Sequence, residues 1–413
     1  MKVCDAIMGS GKTQSAITYM NEHKNQKFIY ITPYLAEAAR IKQGCPELKF
    51  FEPSDKFPEF NFRKCDHTAA LIKDGCNITT THQAFRGYNA NMLADIKEQG
   101  YTLFIDESLD VLESVKITQD DLDCLLKCGC IKENNGAYSR TGEEYRGALK
   151  KVLDLFDGRE LIRGQDTRDD IMFYWQLPPD LMKSFEQIFV LTYLFEGQNL
   201  FNFFQIFNIP FKYIGVEKDP KVSTGFRFSE HTNYIPDYVQ NLKEMVNMLK
   251  HDKLNRIGKD RCALSMAWFQ KNSANRSVLK NAVYNCFCNI WRQIPSKQKL
   301  WGTFVEREKD LKGRGYSKSF LGFNARATNE YRERTHLVYA ANVFMNSGVV
   351  NFYAKNGIKI DQEKYALSVM LQWIWRSAIR DGKKIYIYIP SKRMRDLLNE
   401  WMDEVTKNAA KAA

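Results

Sequence analysis

Ala6-Ile7-Met8-Gly9-Ser10-Gly11-Lys12-Thr13 decides the fold. The first eight residues read as a short strand that runs straight into a glycine turn, and Thr13–Asn21 then reads as a helix. Glycines in such a turn let backbone N–H groups face inward around phosphate oxygens, and the following helix offers its positive N-terminus to the same charge. The octet matches the phosphate-binding loop pattern, with Ala6 in place of the first glycine. Ala6, Gly9, Ser10, Gly11, Lys12 and Thr13 are therefore the expected nucleotide-binding residues. Lys12 can reach the β- and γ-phosphates, and the Thr13 hydroxyl can hold Mg²⁺.

Working outward, Lys27–Thr32 is a second strand and Leu35–Gln43 a second helix. A third strand ends at Asn77–Thr80, just before His82. Tyr101–Ile105 and Phe189–Thr192 are further short apolar runs. Strands alternating with helices predict a parallel α/β sheet, whose ligands lie at the carboxyl ends of the strands. The run Leu103-Phe104-Ile105 delivers Asp106 and Glu107 to such an end. Asp106 suits the metal shell, and Glu107 suits orienting or deprotonating an attacking water. Residues 112–186 lose this rhythm and predict a mostly helical insertion, with a turn near Asn134-Asn135-Gly136. Residues 216–260 are polar and predict a connector with one amphipathic helix near Tyr238–Leu249. A second α/β pattern opens at Cys262–Phe269. It continues through a helix at Ser277–Ile294, an extended Leu337–Val343, a helix at Lys364–Arg380, a strand at Lys384–Ile389 and a helix at Lys392–Val405. The expected domains are thus 1–215, with the insertion, and 261–407. Residues 408–413 predict a frayed end.

The length of 413 residues fits two or three domains. With 44% hydrophobic and 26% charged residues, disorder is excluded. No apolar stretch reaches the ~18 residues needed to cross a bilayer, and the first residues lack a signal-peptide layout. Ten cysteines are too sparse for a disulfide scaffold and predict reduced thiols. Cys124, Cys128 and Cys130 cluster without a matching second pair, so buried inert thiols fit better than zinc. These features predict a cytoplasmic protein with no membrane partner. The net charge of +11 is uneven. Residues 1–200 hold 24 Lys+Arg against 30 Asp+Glu, a net of −6, and the remainder hold 36 against 19, a net of +17. A one-sided excess of this kind predicts a polyanionic partner.

Three features of the basic half carry chemistry. Gln372, Arg376 and Arg380 recur at i, i+4 and i+8, which on a helix is one face, with Trp373, Ile374 and Ala378 packing behind it. Guanidinium groups projected into a cleft suit the charge that builds on a γ-phosphate during transfer. Gly313-Arg314-Gly315-Tyr316-Ser317-Lys318 joins basic and aromatic residues in a glycine-rich loop, as a single strand would require. Lys392-Arg393-Met394-Arg395 is either a phosphate patch or the first turn of the last helix. Trp268, Trp291, Trp301, Trp373 and Trp375 read mostly as core.

Taken in order, these motifs resemble superfamily 2 helicases, the DEAD/DEAH-like motor proteins, and in detail their phage-encoded members. Ala6–Thr13 resembles the AxxGxGKT form of motif I, in which a first alanine is usual. Thr32-Pro33-Tyr34-Leu35-Ala36 resembles motif Ia and Thr80-Thr81-His82 motif Ic. Asp106-Glu107-Ser108 stands where motif II has DEAD or DEAH, matching its first two letters. Leu191-Thr192-Tyr193-Leu194 stands at motif III. Ala325-Arg326-Ala327-Thr328-Asn329 with His336-Leu337-Val338-Tyr339 resembles motif V. Gln372, Arg376 and Arg380 resemble motif VI, here tryptophan-rich and with its second arginine displaced by one place. The resemblance spans residues 1–110, 189–200 and 262–400; a Q motif is lacking, and the insertion has no counterpart.

The resemblance implies two RecA-like lobes that bind ATP and Mg²⁺ between them. Lys12, Glu107, Gln372, Arg376 and Arg380 would be catalytic, Thr13 and Asp106 would hold the metal, and Thr192 would couple hydrolysis to motion. Nucleic acid would contact Thr32, Pro33, Thr81, His82, Arg326 and Thr328, with Arg314 and Lys318 added by the basic loop. The implied activity is that of a monomeric ATP-dependent helicase or translocase, acting on DNA rather than RNA in phage replication or recombination, in the host cytoplasm. Two other classes share parts of this pattern. A terminase-like packaging ATPase needs a carboxylate-rich nuclease domain, and the second half offers no evident triad among its 19 acids. A nucleic-acid-binding module with an inactive ATPase fold is opposed by intact Lys12, Thr13, Asp106 and Glu107.

Overall fold

The structure is a computed structural model that describes all residues except 34, 108, 157–159, 167–169, 272, 324–330 and 413. Four strands precede the insertion: β1 (Lys2–Asp5), β2 (Lys27–Thr32), β3 (Ile78–Thr81) and β4 (Tyr101–Asp106). Five lie within it: β5 (Leu112–Thr118), β6 (Ile131–Asn134), β7 (Ala137–Arg140), β8 (Leu161–Asp166) and β9 (Asp170–Gln176). Three follow: β10 (Gln187–Thr192), β11 (Lys212–Lys218) and β12 (Phe226–Ser229). Four build the second lobe: β13 (Val246–Met248), β14 (Lys299–Gly302), β15 (His336–Tyr339) and β16 (Ile385–Tyr388).

The first lobe is a seven-stranded sheet in the order β12-β11-β1-β10-β4-β2-β3, parallel except for β12. Its central strands, KFIYIT, YTLFID and QIFVLT, are apolar with almost no alternation because helices cover both faces. Ile29, Ile31, Leu103 and Ile105 fill one face. Phe28, Tyr30, Phe104 and Phe189 fill the other, where Phe104 stacks on Phe189 at 4.7 Å. The second lobe is a parallel sheet in the order β13-β16-β15-β14. Its helices include Ser273–Asn285, Gln362–Ile374 and Lys392–Ala412. The chain is thus a mixed α/β structure built on parallel sheets, as its sequence implies.

Several boundaries differ from the sequence reading. The insertion is not mostly helical: β5-β9-β8-β7-β6 form an antiparallel sheet, with one helix of note at Gln119–Lys127. Ile171, Phe173 and Trp175 alternate onto the core, a period of two that belongs to a strand. Asn135 and Gly136, both at positive φ, make the two-residue turn between β6 and β7. The connector also dissolves into the two lobes. Strands β11 and β12 extend the first sheet, and β13 opens the second. The helix expected at Tyr238–Leu249 is a 3-10 turn, a helix at Leu242–Met245 and then β13. Cys262–Phe269 opens on a turn and enters the helix Met266–Lys271. The last helix runs on to Ala412 with Ala409 buried, where a frayed end was expected from 408.

The insertion also reaches the second lobe. Leu112 and Tyr174 cluster with Met345, Val349 and Tyr353 around the helix Ser347–Lys355. Ser114 Oγ donates to Asn346 Oδ1 at 2.8 Å, and Tyr353 donates its hydroxyl to the Asn199 carbonyl at 3.1 Å. Among the described residues, no helix is long and apolar enough to cross a membrane.

Candidate active site

A cleft of about 650 Å³ opens at the carboxyl ends of the first sheet and is closed over by the second lobe. Its floor is the phosphate loop. Gly9 and Gly11 adopt φ +77° and +94°, the left-handed region that a glycine enters without strain. A Cβ on Gly11 would stand 2.5 Å from the Phe226 ring, so the position also requires the missing side chain. Lys12 Nζ donates to the carbonyls of Ala6 and Ile7, which holds the ammonium within its own loop. Burial pulls its pKa down, against the pull of Cys4, Asp106, Asp5 and Glu107. Ser10 is buried, and its hydroxyl has no partner among the described residues.

Asp106 ends β4 and is buried, accepting a 2.8 Å hydrogen bond from the Tyr30 hydroxyl. Burial, with Glu107 and Glu37 nearby, pushes its pKa up to about 7. Glu107 sits at φ +65°, a strained backbone for a non-glycine residue, and its N–H donates to the Leu191 carbonyl at 2.9 Å. Burial raises its pKa, and Arg376 and Arg380 oppose that rise. Thr13 and Asp106 present a hydroxyl and a carboxylate, hard oxygen donors of the kind Mg²⁺ takes together with phosphate oxygens and water. Glu107 and Glu37 beside Asp106 would favour such a cation there. Among the described residues no group of three or more His, Cys, Asp or Glu forms a separate metal cage.

The second lobe supplies Gln372, Trp375, Arg376 and Arg380 to the same cleft. The three motif VI residues are brought together, though not on one helix. The helix stops at Ile374, and Ser377 seals it by donating its hydroxyl to the Ile374 carbonyl at 2.7 Å. Arg376 follows in the turn and Arg380 in the 3-10 segment Ala378–Asp381. Arg380 meets Glu37 of the first lobe at 3.5 Å, and Glu37 also pairs with Arg40 at 3.2 Å. Glu37, Arg40, Arg332, Phe226 and Tyr238 line the cleft and carry no motif in the sequence. Arg332 is anchored through Nε to Asp381 at 3.1 Å.

Thr192 is buried at the end of β10. Gln198 Nε2 donates to its hydroxyl at 2.6 Å and to the Tyr193 carbonyl at 2.9 Å. Asp5 accepts from the N–H groups of Leu194 and Phe195 at 2.8 and 3.0 Å, fixing the same turn. This turn touches the second lobe: Trp401 Nε1 donates to the Tyr193 hydroxyl at 2.8 Å. A Cβ on Gly197 would stand 2.6 Å from the Lys364 backbone. Neither Gln198 nor Gly197 had a sequence signal of its own.

The residues expected to touch nucleic acid lie in several places. Thr32 is fully buried and lines the cleft, with half-buried Pro33 after it. Thr81 Oγ1 accepts from the Ala84 N–H as a helix cap. The His82 imidazole is buried, which lowers its pKa to about 4, and its Nε2 is without a partner among the described residues. Arg314 and Lys318 are exposed, away from the cleft. Tyr316, expected to stack on bases, is buried against Trp301 and donates to the Leu311 carbonyl at 2.7 Å. Arg326, Thr328, Tyr34 and Ser108 lie outside the described residues. Of the tryptophans, Trp291, Trp301, Trp373 and Trp375 are core and Trp268 is half-buried. The patch Lys392–Arg395 is the first turn of the last helix, with Arg393 buried on Glu363, Asn342 and the Val343 carbonyl.

A phosphate loop and paired carboxylates on one parallel sheet, faced by arginines from a second, define a two-lobed α/β protein with a P-loop cleft. Residues 240–402 match the YonV C-terminal Rossmann-like domain. The chain belongs to the YonV family: it is 38% identical over 413 residues to the SPbeta prophage-derived protein YonV of Bacillus subtilis (strain 168), covering 98% of each chain. Among solved structures it is similar to apo XPD, with a TM-score of 0.49 and 10% identity over 97% of this chain and 95% of that one. It is also similar to S. tokodaii Xpd4, with a TM-score of 0.46 and 12% identity over 97% and 94%.

Proposed function

We propose that this protein is a nucleic-acid-dependent NTPase of the helicase or translocase type, acting on DNA. The observation that carries the reading is the convergence on one cleft of Lys12, Asp106 and Glu107 from the first lobe with Arg376 and Arg380 from the second. Backbone N–H groups of the Gly9–Thr13 turn and Lys12 would hold the triphosphate. Thr13 and Asp106 would hold Mg²⁺, which when bound neutralises charge on the phosphates. Glu107 would orient the attacking water and take its proton. Arg376 and Arg380 would meet charge developing on the γ-phosphate, which makes catalysis depend on how the lobes sit against each other.

The turn Thr192–Gln198 supports coupling. Leu191, just before it on β10, accepts from the Glu107 N–H, and the turn itself rests on Trp401 and Lys364 of the second lobe. A shift of the second lobe would therefore be felt at Glu107. The test is ATP hydrolysis titrated with single-stranded DNA, duplex DNA and RNA at two salt concentrations. At least severalfold stimulation by DNA is expected. Turnover indifferent to every nucleic acid would sink the motor reading.

A further inference from the structure

The cleft is polarised along the strand order. The phosphate loop leaves β1. Two strands to one side is β4 with Asp106, and two strands to the other is β12 with Phe226. At ~4.8 Å between strands, β4 and β12 each lie ~10 Å from β1, and the Phe226 ring reaches back to Gly11 of the loop. A nucleoside triphosphate whose γ-phosphate points toward Asp106 and Glu107 must extend its ribose and base toward β12. That end is aromatic. Half-buried Phe226 lines the cleft beside Gly11 and Gln14. Tyr238 donates its hydroxyl to the Met8 carbonyl at 2.7 Å and faces Trp375 at 6.0 Å.

Polar side chains around Phe226 are already engaged. Thr18 and Thr224 donate to the Phe226 carbonyl at 2.8 and 3.1 Å. Arg227 pairs with Glu22 at 2.7 Å and Asp219 at 3.1 Å. Gln14 lines this end of the cleft as well, a single amide rather than a buried donor–acceptor set. Reading a base by its edge needs a buried donor–acceptor set whose loss is costly; a ring face accepts any base.

We propose that Phe226 is the base platform of the site and that the base is held by stacking, without selection by its edge. This rests on the NTPase reading above, and it makes ATP and GTP near-equivalent substrates, with pyrimidine nucleotides poorer because their rings stack on less area. The experiment is steady-state hydrolysis of ATP, GTP, CTP and UTP, in the presence of saturating single-stranded DNA, by wild type, Phe226→Leu and Phe226→Trp, with inorganic tripolyphosphate as a competing probe of the phosphate loop alone. In wild type, kcat/KM for ATP and GTP should agree within about threefold. Phe226→Leu should raise KM for both purine nucleotides roughly tenfold, the worth of one base–aromatic stack, while its inhibition by tripolyphosphate stays as in wild type. Phe226→Trp should restore purine KM, which separates stacking from loss of fold. Purine KM values in Phe226→Leu within twofold of wild type would overturn the proposal, as would a preference for ATP over GTP above a hundredfold. Wild type that hydrolyses none of the four and ignores tripolyphosphate would overturn the NTPase reading as well.

Discussion

Replacing Arg376 by alanine tests whether the second lobe takes part in chemistry. The residue lies two positions beyond the end of its helix, in a turn, and its neighbours Trp373, Ile374 and Trp375 are buried in the core of the second lobe. The fold should survive, with a fall in Tm of no more than a few degrees. An arginine that meets transition-state charge contributes on the order of 10³-fold or more to kcat, about 4 kcal/mol. Arg380 is predicted to matter less. Its contact with Glu37 at 3.5 Å has a gross Coulomb energy of about 5 kcal/mol at an effective dielectric of 20. Its side chain is 43% exposed, so solvent reduces the net to about 1 kcal/mol or less. It is therefore partly neutralised and partly solvated, and Arg380→Ala should cost ten- to a hundredfold. The assay is DNA-stimulated turnover at saturating ATP, with binding of a fluorescent nucleotide measured separately. Arg376→Ala should lose about 10³ in kcat and keep its nucleotide affinity within threefold. Arg376→Lys should recover little, since an ammonium lacks the planar fork. Arg376→Ala turning over within threefold of wild type would refute the assignment, and so would a loss carried wholly by affinity.

Glu107→Gln keeps the shape of the side chain and removes the base; kcat should fall 10²- to 10⁴-fold with nucleotide binding retained, and equal turnover would place the base elsewhere. Phe352→Ala removes a ring packed at 5.2 Å from Tyr174, loosening the contact between the insertion and the second lobe. It should cost about 1–3 kcal/mol and speed proteolysis within residues 112–186, whereas an unchanged cleavage pattern would mean that the contact bears no load. If Arg314 and Lys318 touch DNA phosphates, each alanine variant should lower the slope of log K against log salt by about 0.7 on single strands. A fall in affinity with an unchanged slope would mean that neither contacts a phosphate.

The phosphate loop and the Asp106-Glu107 pair were legible because each is a local event, a strand running into a turn whose chemistry needs those residue types. The arginines were legible as a set but not in their geometry. Spacing alone carries the helix through Arg380, and only Ser377 bonding back to Ile374 shows why it stops. Glu37 and Phe226 left no trace in the sequence. A lone glutamate on a helix and a phenylalanine in a polar stretch become site residues only when sheet order and lobe contact bring them to the cleft. The insertion was misread for a different reason. Its charged residues masked the alternation of Ile171, Phe173 and Trp175, although Asn135-Gly136 was a hairpin signal in plain view. Tyr316 shows the opposite error, since an aromatic in a basic loop looked available and instead fills a gap behind Trp301.

The charge asymmetry must be divided before it says anything about a partner. In the second lobe several cations satisfy backbone carbonyls. Arg334 donates to the carbonyls of Ser296 and Lys299, Arg395 to those of Ile389 and Pro390, and Lys299 to that of Gly315. Arg393 does the same for Val343 and Gln362. These groups hold strand ends and loops, so their charges count toward the net of +17 without standing ready for a phosphate. Arg376 and Arg380 belong to the cleft. Arg314 and Lys318 are among the exposed cations, on a loop tied through Lys299 to β14, the edge strand of the second sheet. A salt dependence counted from total charge would therefore overestimate the number of phosphates bound, because net charge does not distinguish a cation that meets solvent from one that completes the fold.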